Sequence, residues 1–161
     1  MMKREIPFNI PAITGKEILN INKVSKLNDY SANGWFTQKC ERWLIKNLKC
    51  KEALLVHSCT AALEMCALLL DVKRGDEIIM TSYTFVSIAN AFVLRGGKPI
   101  FVDIDPKTCN IDPKKIEYSI GKKTKAIVVV HYAGISCDMD PILKIAKKYK
   151  LYVIEDAAQA I

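Results

Sequence analysis

The strongest constraint on the fold is a set of short apolar segments in which apolar and polar residues do not alternate. The clearest of them, residues 126–130, reads Ala-Ile-Val-Val-Val. A strand with apolar side chains on both faces is buried on both faces, which is typical of a parallel sheet covered by helices. Helical patterns separate these segments, so right-handed crossovers are expected to join the strands. The sequence therefore predicts an α/β fold with a mostly parallel sheet and helices on both faces.

Five strands and their connecting helices are predicted from residue 53 onwards. Turn and cap residues punctuate them: Gly96-Gly97 follows one helix, and Asp112-Pro113 and Asp140-Pro141 are expected to open two others. The predicted strands are 53–57, 77–80, 99–102, 126–130 and 151–154, and the predicted helices include 60–70, 84–94 and 140–150.

Residues 1–52 follow a different pattern and predict a helical arm, whereas 53–161 predict part of an α/β domain. A helix is expected from Lys16 to Leu27, followed by a polar loop. A second helix is expected from Thr37, because apolar residues then recur at helical spacing. We expect this arm to pack against the α/β part.

Composition excludes several classes of protein. Half of the 161 residues are hydrophobic and 25% are charged, which argues against disorder. The 24 Lys and Arg residues exceed the 17 Asp and Glu residues, giving a net charge of +7. These cations are not concentrated in one patch, and no nucleic-acid-binding motif is present, so a nucleic-acid partner is not expected.

The cysteines and the N-terminal segment bear on metal binding and location. None of the six cysteines forms a C-x-x-C pair, so no metal site or redox dithiol is predicted. The first residues are charged and lead into Pro7 and Pro11 rather than into the apolar core of a signal peptide. No segment approaches the ~18 apolar residues of a membrane span. We therefore expect a reduced, cytoplasmic protein with no membrane partner.

Polar residues follow all five predicted strands at their carboxyl ends, where open α/β sheets bind ligands. They are Ser58-Cys59-Thr60, Thr81-Ser82-Tyr83, Asp103-Ile104-Asp105, His131-Tyr132 and Glu155-Asp156. Solvated strand ends have the same composition, so this pattern alone does not separate a binding edge from ordinary surface.

The segment Ser58-Cys59-Thr60 lies where a predicted strand turns into a helix. Free N–H groups and the helix dipole at such a point suit a phosphate, but capping of the helix by Ser58 or Thr60 explains the same residues. No G-x-G-x-x-G or Walker A motif is present, so a generic nucleotide-binding domain lacks its fingerprint.

Two further residues, Asp156 and His131, each allow more than one interpretation, and a third, Phe85, fits one. Asp156 follows an apolar strand, so its carboxylate needs a cationic partner or several hydrogen bonds. A protonated pyridine nitrogen meets that need, and so does a lysine or a helix N-terminus. His131 fits either a purely hydrogen-bonding histidine or a catalyst, and Phe85 fits a helix core.

Five short motifs follow one another along the chain. They are Ser-Cys-Thr-Ala-Ala-Leu at 58–63, Ser-Tyr-Thr-Phe-Val-Ser at 82–87, Phe-Val-Asp-Ile at 101–104, His-Tyr-Ala-Gly at 131–134 and Glu-Asp-Ala-Ala-Gln at 155–159. Together with Gly-Trp-Phe-Thr-Gln at 34–38, they resemble the DegT/StrS family of sugar aminotransferases, which depend on pyridoxal 5'-phosphate. The resemblance covers nearly the whole chain.

This resemblance implies the large domain of a fold-type I pyridoxal-phosphate enzyme. It implies transfer of an amino group, with glutamate as the donor, to a nucleotide-linked 4-keto-6-deoxy sugar. The motifs look most like those of enzymes that make dTDP-4-amino-4,6-dideoxygalactose from dTDP-4-oxo-6-deoxyglucose, which points to cell-surface polysaccharide such as O-antigen. Members of the family are homodimers.

The resemblance also implies roles for individual residues. Cys59 and Thr60 match positions that hold the cofactor phosphate, Phe85 matches the aromatic residue that stacks on the pyridine ring, and Asp156 matches the carboxylate that keeps the ring nitrogen protonated. Gln159 matches a further cofactor contact. The candidates for the substrate side are Gly34, Phe36, Thr37 and His131.

The family's Schiff-base lysine lies beyond the position of Ile161, so no catalytic residue is assigned within these 161 residues. We therefore expect an incomplete sheet, no C-terminal small domain and no activity from this chain alone. Two alternatives stay open at this stage. One is a non-catalytic fragment or dimerisation module, and the other is a sugar dehydratase of the same family without the lysine.

Overall fold

The computed structural model describes residues 6–7, 10–28 and 30–160. The chain divides into two compact units, with the boundary between Leu55 and Val56. The first unit contains the helices α1 (Glu17–Leu27) and α2 (Trp35–Leu48). The second unit contains α3 (Cys59–Leu69), β1 (Glu77–Met80), α4 (Ser87–Val93), β2 (Lys98–Phe101), α5 (Pro113–Ile116), β3 (Thr124–Val130), α6 (Met139–Tyr149) and β4 (Tyr152–Asp156).

The four strands of the second unit form one parallel sheet in the order β2-β1-β3-β4. Each neighbouring pair is parallel, with Ile79 opposite both Ile100 and Ile127, and Val128 opposite Ile154. Helices connect the strands, so the predicted α/β fold with a parallel sheet is confirmed. No described helix has both the length and the apolar composition needed to cross a lipid bilayer.

The core lies on both faces of this sheet because successive side chains of a strand point to opposite sides. On the first face, Ile78, Met80 and Val128 pack with α3 and α4. On the second face, Ile79 and Ile127 belong to a cluster that includes residues of α5 and α6. This two-sided burial explains why the strands lack alternation between apolar and polar residues.

Two of the predicted helices have an N-cap residue that the sequence offered as a candidate. Ser58 caps α3, and Asp112 caps α5, where its carboxylate accepts a hydrogen bond from the Lys114 N–H at 3.0 Å. Pro113 occupies the first position of α5, where the missing N–H of proline has no intrahelical partner to lose.

Three predictions were wrong. Residues 53–57 do not form a strand, because no strand of the described chain pairs with them. The helix predicted from residue 84 begins at Ser87, since residues 81–86 form a turn after β1. The N-cap of α6 is Asp138 and not Asp140. Asp140 lies in the first turn of the helix, where its carboxylate interacts favourably with the helix dipole.

Replacing Ile127 by alanine tests the two-sided core. Ile127 is 0% exposed at the centre of β3, so Ile127→Ala should lower the free energy of unfolding by about 2–5 kcal/mol. Urea denaturation of the two proteins measures this difference. Leu69→Ala is the control, because Leu69 is 75% exposed at the end of α3. An equal loss in both variants would contradict the assignment of the core.

Candidate functional site

The carboxyl ends of the parallel strands bring several of the predicted site residues to one edge of the sheet. β1 ends before the buried Thr81, β3 ends before His131, and β4 ends at Asp156. The pairing of β3 with β4 continues past the strand end, where the His131 N–H donates to the Asp156 carbonyl oxygen at 3.1 Å. This edge therefore holds the polar residues that follow three of the strands.

Asp156 is the most deeply buried acidic residue at this edge, with 8% of its surface exposed. Its Oδ1 accepts hydrogen bonds from the Ala158 N–H at 3.0 Å and from the Cys59 thiol, with Sγ at 3.6 Å. Its Oδ2 receives no hydrogen bond from the described residues. Every completely buried side-chain oxygen or nitrogen among those residues has a hydrogen-bond partner, so an Oδ2 without one is not completely buried. Oδ2 is therefore accessible to a ligand. A nearly buried carboxylate with one free oxygen favours a cationic N–H partner.

The N-terminus of α3 lies next to this carboxylate, since Cys59 is the first residue of the helix. The Ser58 hydroxyl accepts from the Ala61 N–H at 3.1 Å, and the Ala62 N–H donates to the Ser58 carbonyl at 3.1 Å. The N–H groups of Cys59 and Thr60 have no acceptor in the described chain, and both residues are exposed. Ser58 thus caps the helix while two N–H groups stay available to an anion.

A small cavity of about 100 Å³ adjoins Asp156. Its walls are formed by Thr84, Phe85, Val130, His131, Tyr132, Asp156, Ala158 and Gln159. Phe85 is 74% exposed and precedes α4, so it does not belong to the helix core. An exposed aromatic ring beside a free carboxylate oxygen suits a flat, cationic heteroaromatic ligand.

Gln159 lies on the turn after β4 and holds that turn to the loop after β3. Its Oε1 accepts a hydrogen bond from the Ala133 N–H at 2.7 Å. The backbone of Gly134 also lies close to this turn: its φ is +80°, and a Cβ added to it would be 3.0 Å from the Gln159 carbonyl oxygen. The side-chain amide nitrogen of Gln159 has no acceptor in the described part of the chain.

His131 contributes to the cavity wall, but its ring faces the other side of the sheet from Asp156. Alternation places Val130 and Asp156 on the side of α3, and His131 and Glu155 on the side of α6. His131 is 7% exposed, its Nδ1 accepts from the Cys137 N–H at 3.1 Å, and its Nε2 lies 3.0 Å from Oε2 of Glu155. Because Nδ1 is an acceptor, the proton is assigned to Nε2, which donates to Glu155.

Two tyrosines at the same edge were not among the predicted site residues. The Tyr132 hydroxyl donates to the Tyr83 hydroxyl at 3.2 Å, and the ring centroids lie 4.9 Å apart. Both tyrosines follow predicted strands, and this position in the sequence was the feature that could have identified them. The sequence alone does not show that their hydroxyls form a hydrogen bond.

Gly34, Phe36 and Thr37 lie in the first unit, at the start of α2. Gly34 is buried as the N-cap residue, and the Thr37 hydroxyl donates to the Ala32 carbonyl at 3.2 Å. All three residues line one cavity of about 240 Å³ together with Tyr30. Three of the four predicted substrate-side residues thus line one cavity within the first unit.

Replacing His131 tests its hydrogen bonds at the edge of the sheet. His131→Ala leaves the Cys137 N–H without its acceptor and should lower the free energy of unfolding by about 1–3 kcal/mol. His131→Asn should lose less, because its amide oxygen can replace Nδ1. The control is Glu155→Gln, which still offers an oxygen to Nε2 at a half-exposed position. Thermal melts that show equal stability for His131→Ala and the wild type would contradict this role.

The sequence and the fold of the chain are similar to those of known proteins. The sequence model of the DegT/DnrJ/EryC1/StrS aminotransferase family matches residues 11–161. The spore coat polysaccharide biosynthesis protein SpsC of Bacillus subtilis is 39% identical over 97% of this chain and 40% of its own length. Among solved structures, an aminotransferase from Psychrobacter cryohalolentis superposes with a TM-score of 0.89 at 38% identity, over 96% of this chain and 40% of the other.

A second solved structure carries a cofactor. NtdA from Bacillus subtilis, with bound pyridoxamine phosphate, superposes with a TM-score of 0.88 at 36% identity, over 100% of this chain and 39% of the other. The present chain thus spans about 40% of the length of the relatives that it matches. The family model covers most of the chain, and the fold agrees with solved members. The chain belongs to the DegT/DnrJ/EryC1/StrS aminotransferase family.

Proposed function

We propose that this chain is the cofactor-binding part of an enzyme that moves an amino group from glutamate to a nucleotide-linked 4-keto-6-deoxy sugar. The family is one of sugar aminotransferases that use pyridoxal phosphate. The observation that carries the proposal is the nearly buried carboxylate of Asp156, which leaves Oδ2 free beside the exposed ring of Phe85.

The donor set at this edge fits pyridoxal phosphate. Oδ2 of Asp156 would accept a hydrogen bond from the protonated pyridine nitrogen and hold the proton there. Phe85 would stack on the ring and keep water from one of its faces. The free N–H groups of Cys59 and Thr60 would hold the phosphate at the positive end of α3. Gln159 would add a contact from its free amide nitrogen.

The bound cofactor would supply an electron-withdrawing ring that stabilises negative charge on a carbon next to the transferred nitrogen. The chain's own residues would keep that ring effective. Asp156 would hold a proton on the ring nitrogen, because burial makes a nearby cation the favoured partner of its carboxylate. The hydrogen bond between Gln159 and Ala133 would fix the turn that carries both Asp156 and Gln159.

For the substrate side, we propose Gly34, Phe36 and Thr37, with an indirect contribution from His131. Gly34, Phe36 and Thr37 line one cavity, where the aromatic ring of Phe36 would contact a sugar nucleotide. Since both ring nitrogens of His131 are bonded on the α6 side, we assign it the role of holding the loop that carries Tyr132. The expected substrate is dTDP-4-oxo-6-deoxyglucose.

The setting of this reaction is proposed from the family. SpsC takes part in making spore coat polysaccharide, and we propose cell-surface polysaccharide, such as O-antigen, as the product pathway here. A cytoplasmic homodimer fits that role. We also propose that residues 1–52 form a helical arm and that residues 53–161 form part of an α/β large domain.

Amino transfer would also need residues outside this sequence. Transfer through pyridoxal phosphate requires a lysine that holds the cofactor and moves a proton. No lysine is among the described residues that line the cavity beside Asp156. We therefore propose that these 161 residues bind the cofactor and that the lysine comes from a further part of the protein.

Binding of pyridoxamine 5'-phosphate tests the cofactor site, because this form needs no bond to a lysine. The wild-type chain should bind it, and Asp156→Asn should weaken binding about tenfold, since the charge-assisted hydrogen bond is lost. Asp138→Asn is the matched control, because Asp138 is exposed and makes no side-chain capping bond. Fluorescence titration measures the three affinities. No binding by the wild-type chain would overturn the cofactor assignment.

Release of 2-oxoglutarate tests the need for further residues. The purified chain, given glutamate, dTDP-4-oxo-6-deoxyglucose and pyridoxal phosphate, should produce no more 2-oxoglutarate than free pyridoxal phosphate does at the same concentration. A coupled dehydrogenase assay measures the product. Multiple turnovers by these 161 residues would contradict the proposal that the lysine lies elsewhere.

A further inference from the structure

The contact between Cys59 and Asp156 joins two elements that are 97 residues apart in the chain. The Ala158 N–H also binds Oδ1 of Asp156, but this donor lies two residues away and moves with the end of β4. Among the described residues, the Cys59 thiol is therefore the side-chain donor that links the Asp156 carboxylate to α3 by a hydrogen bond. Both donors converge on Oδ1, and Oδ2 has none in the described chain.

We propose that Cys59 is a positioning residue: its thiol donates a hydrogen bond to Oδ1 of Asp156 and so keeps Oδ2 turned towards the ring nitrogen of the cofactor. The part that concerns the cofactor rests on the function proposed above. This role belongs to the side chain and is separate from the phosphate contact, which uses the backbone N–H of Cys59.

The state of the thiol agrees with a donor role. Although Cys59 as a whole is exposed, partial removal of its thiol from water, and then the negative charge of Asp156, raise the pKa of the thiol. At neutral pH the group is thus an S–H that can donate, rather than a thiolate that would repel the carboxylate. Cys66 lies on the same helix, and burial alone raises its pKa. It therefore serves as an internal reference.

Thiol alkylation tests the contact without any cofactor. Asp156→Asn removes the negative charge, so the pKa of Cys59 should fall and iodoacetamide should label it about threefold faster at pH 7.5, even though a less basic thiolate is a weaker nucleophile. The rate at Cys66 should not change. Mass spectrometry resolves the two sites, because cleavage after Glu64 separates Cys59 from Cys66. Equal rates at Cys59 in both proteins would overturn the inference.

Affinity for pyridoxamine 5'-phosphate tests the positioning role. Cys59→Ala should weaken binding about threefold to tenfold, whereas Cys59→Ser should keep most of the affinity because its hydroxyl can donate to the same oxygen. Cys66→Ser is the control and should bind as the wild type does. The alanine and serine variants keep the experiment independent of whether Asp156→Asn folds.

The outcomes separate the inference from the proposed function. If the wild-type chain binds no pyridoxamine phosphate, the proposed function fails, and the alkylation rates alone decide whether Cys59 contacts Asp156. If the wild type binds and Cys59→Ala binds equally well, the positioning role is overturned while the cofactor site stands. If the alanine and serine variants lose affinity equally, donation by residue 59 is overturned.

Discussion

The hydrogen bonding of one carboxylate organises the candidate site. Asp156 is held nearly buried at the end of β4, where removal from water is unfavourable for a negative charge unless donors replace the lost hydration. The protein supplies two donors, from Cys59 and Ala158, and both meet the same oxygen. The other oxygen receives no hydrogen bond from the described residues, so the way in which the protein holds this carboxylate also determines which oxygen can meet a ligand.

This arrangement depends on the parallel sheet. Parallel strands end at the same edge, so Thr81, His131 and Asp156 come together although they are far apart in the chain. The same topology places α3 with its N-terminus at that edge, where it can contribute free N–H groups and the positive end of its dipole. A carboxylate beside the N-terminus of a helix offers a negative charge and free N–H groups, which are complementary to a ligand that carries a cationic ring and a phosphate.

The strands and helices could be predicted largely from local pattern. Apolar runs located β1, β2, β3 and β4 within one or two residues, because burial on both faces leaves a strong compositional signal. Segment 53–57 has the same signal but forms no strand, since pairing depends on a neighbour that local sequence does not reveal. The start of α4 was misplaced for a related reason, because residues 84–86 were included in the predicted helix although the chain is still bending there.

The candidate site was only partly predictable, because residue types can be read from the sequence but the side of the sheet on which they lie follows from register. Side chains alternate along a strand, so Val128 and Val130 face α3 while His131 faces the other side of the sheet, towards α6. The side chain of Asp156 lies on the α3 side. The hydrogen bonds of His131 with Cys137 and Glu155 are therefore made on the side away from Asp156. The contact of Cys59 with Asp156 was beyond sequence reasoning, because it needs the packing of α3 on β4. The alternation of side chains along each strand therefore determines which polar side chains of this edge face the same side of the sheet. The packing of α3 determines which donor binds the Asp156 carboxylate.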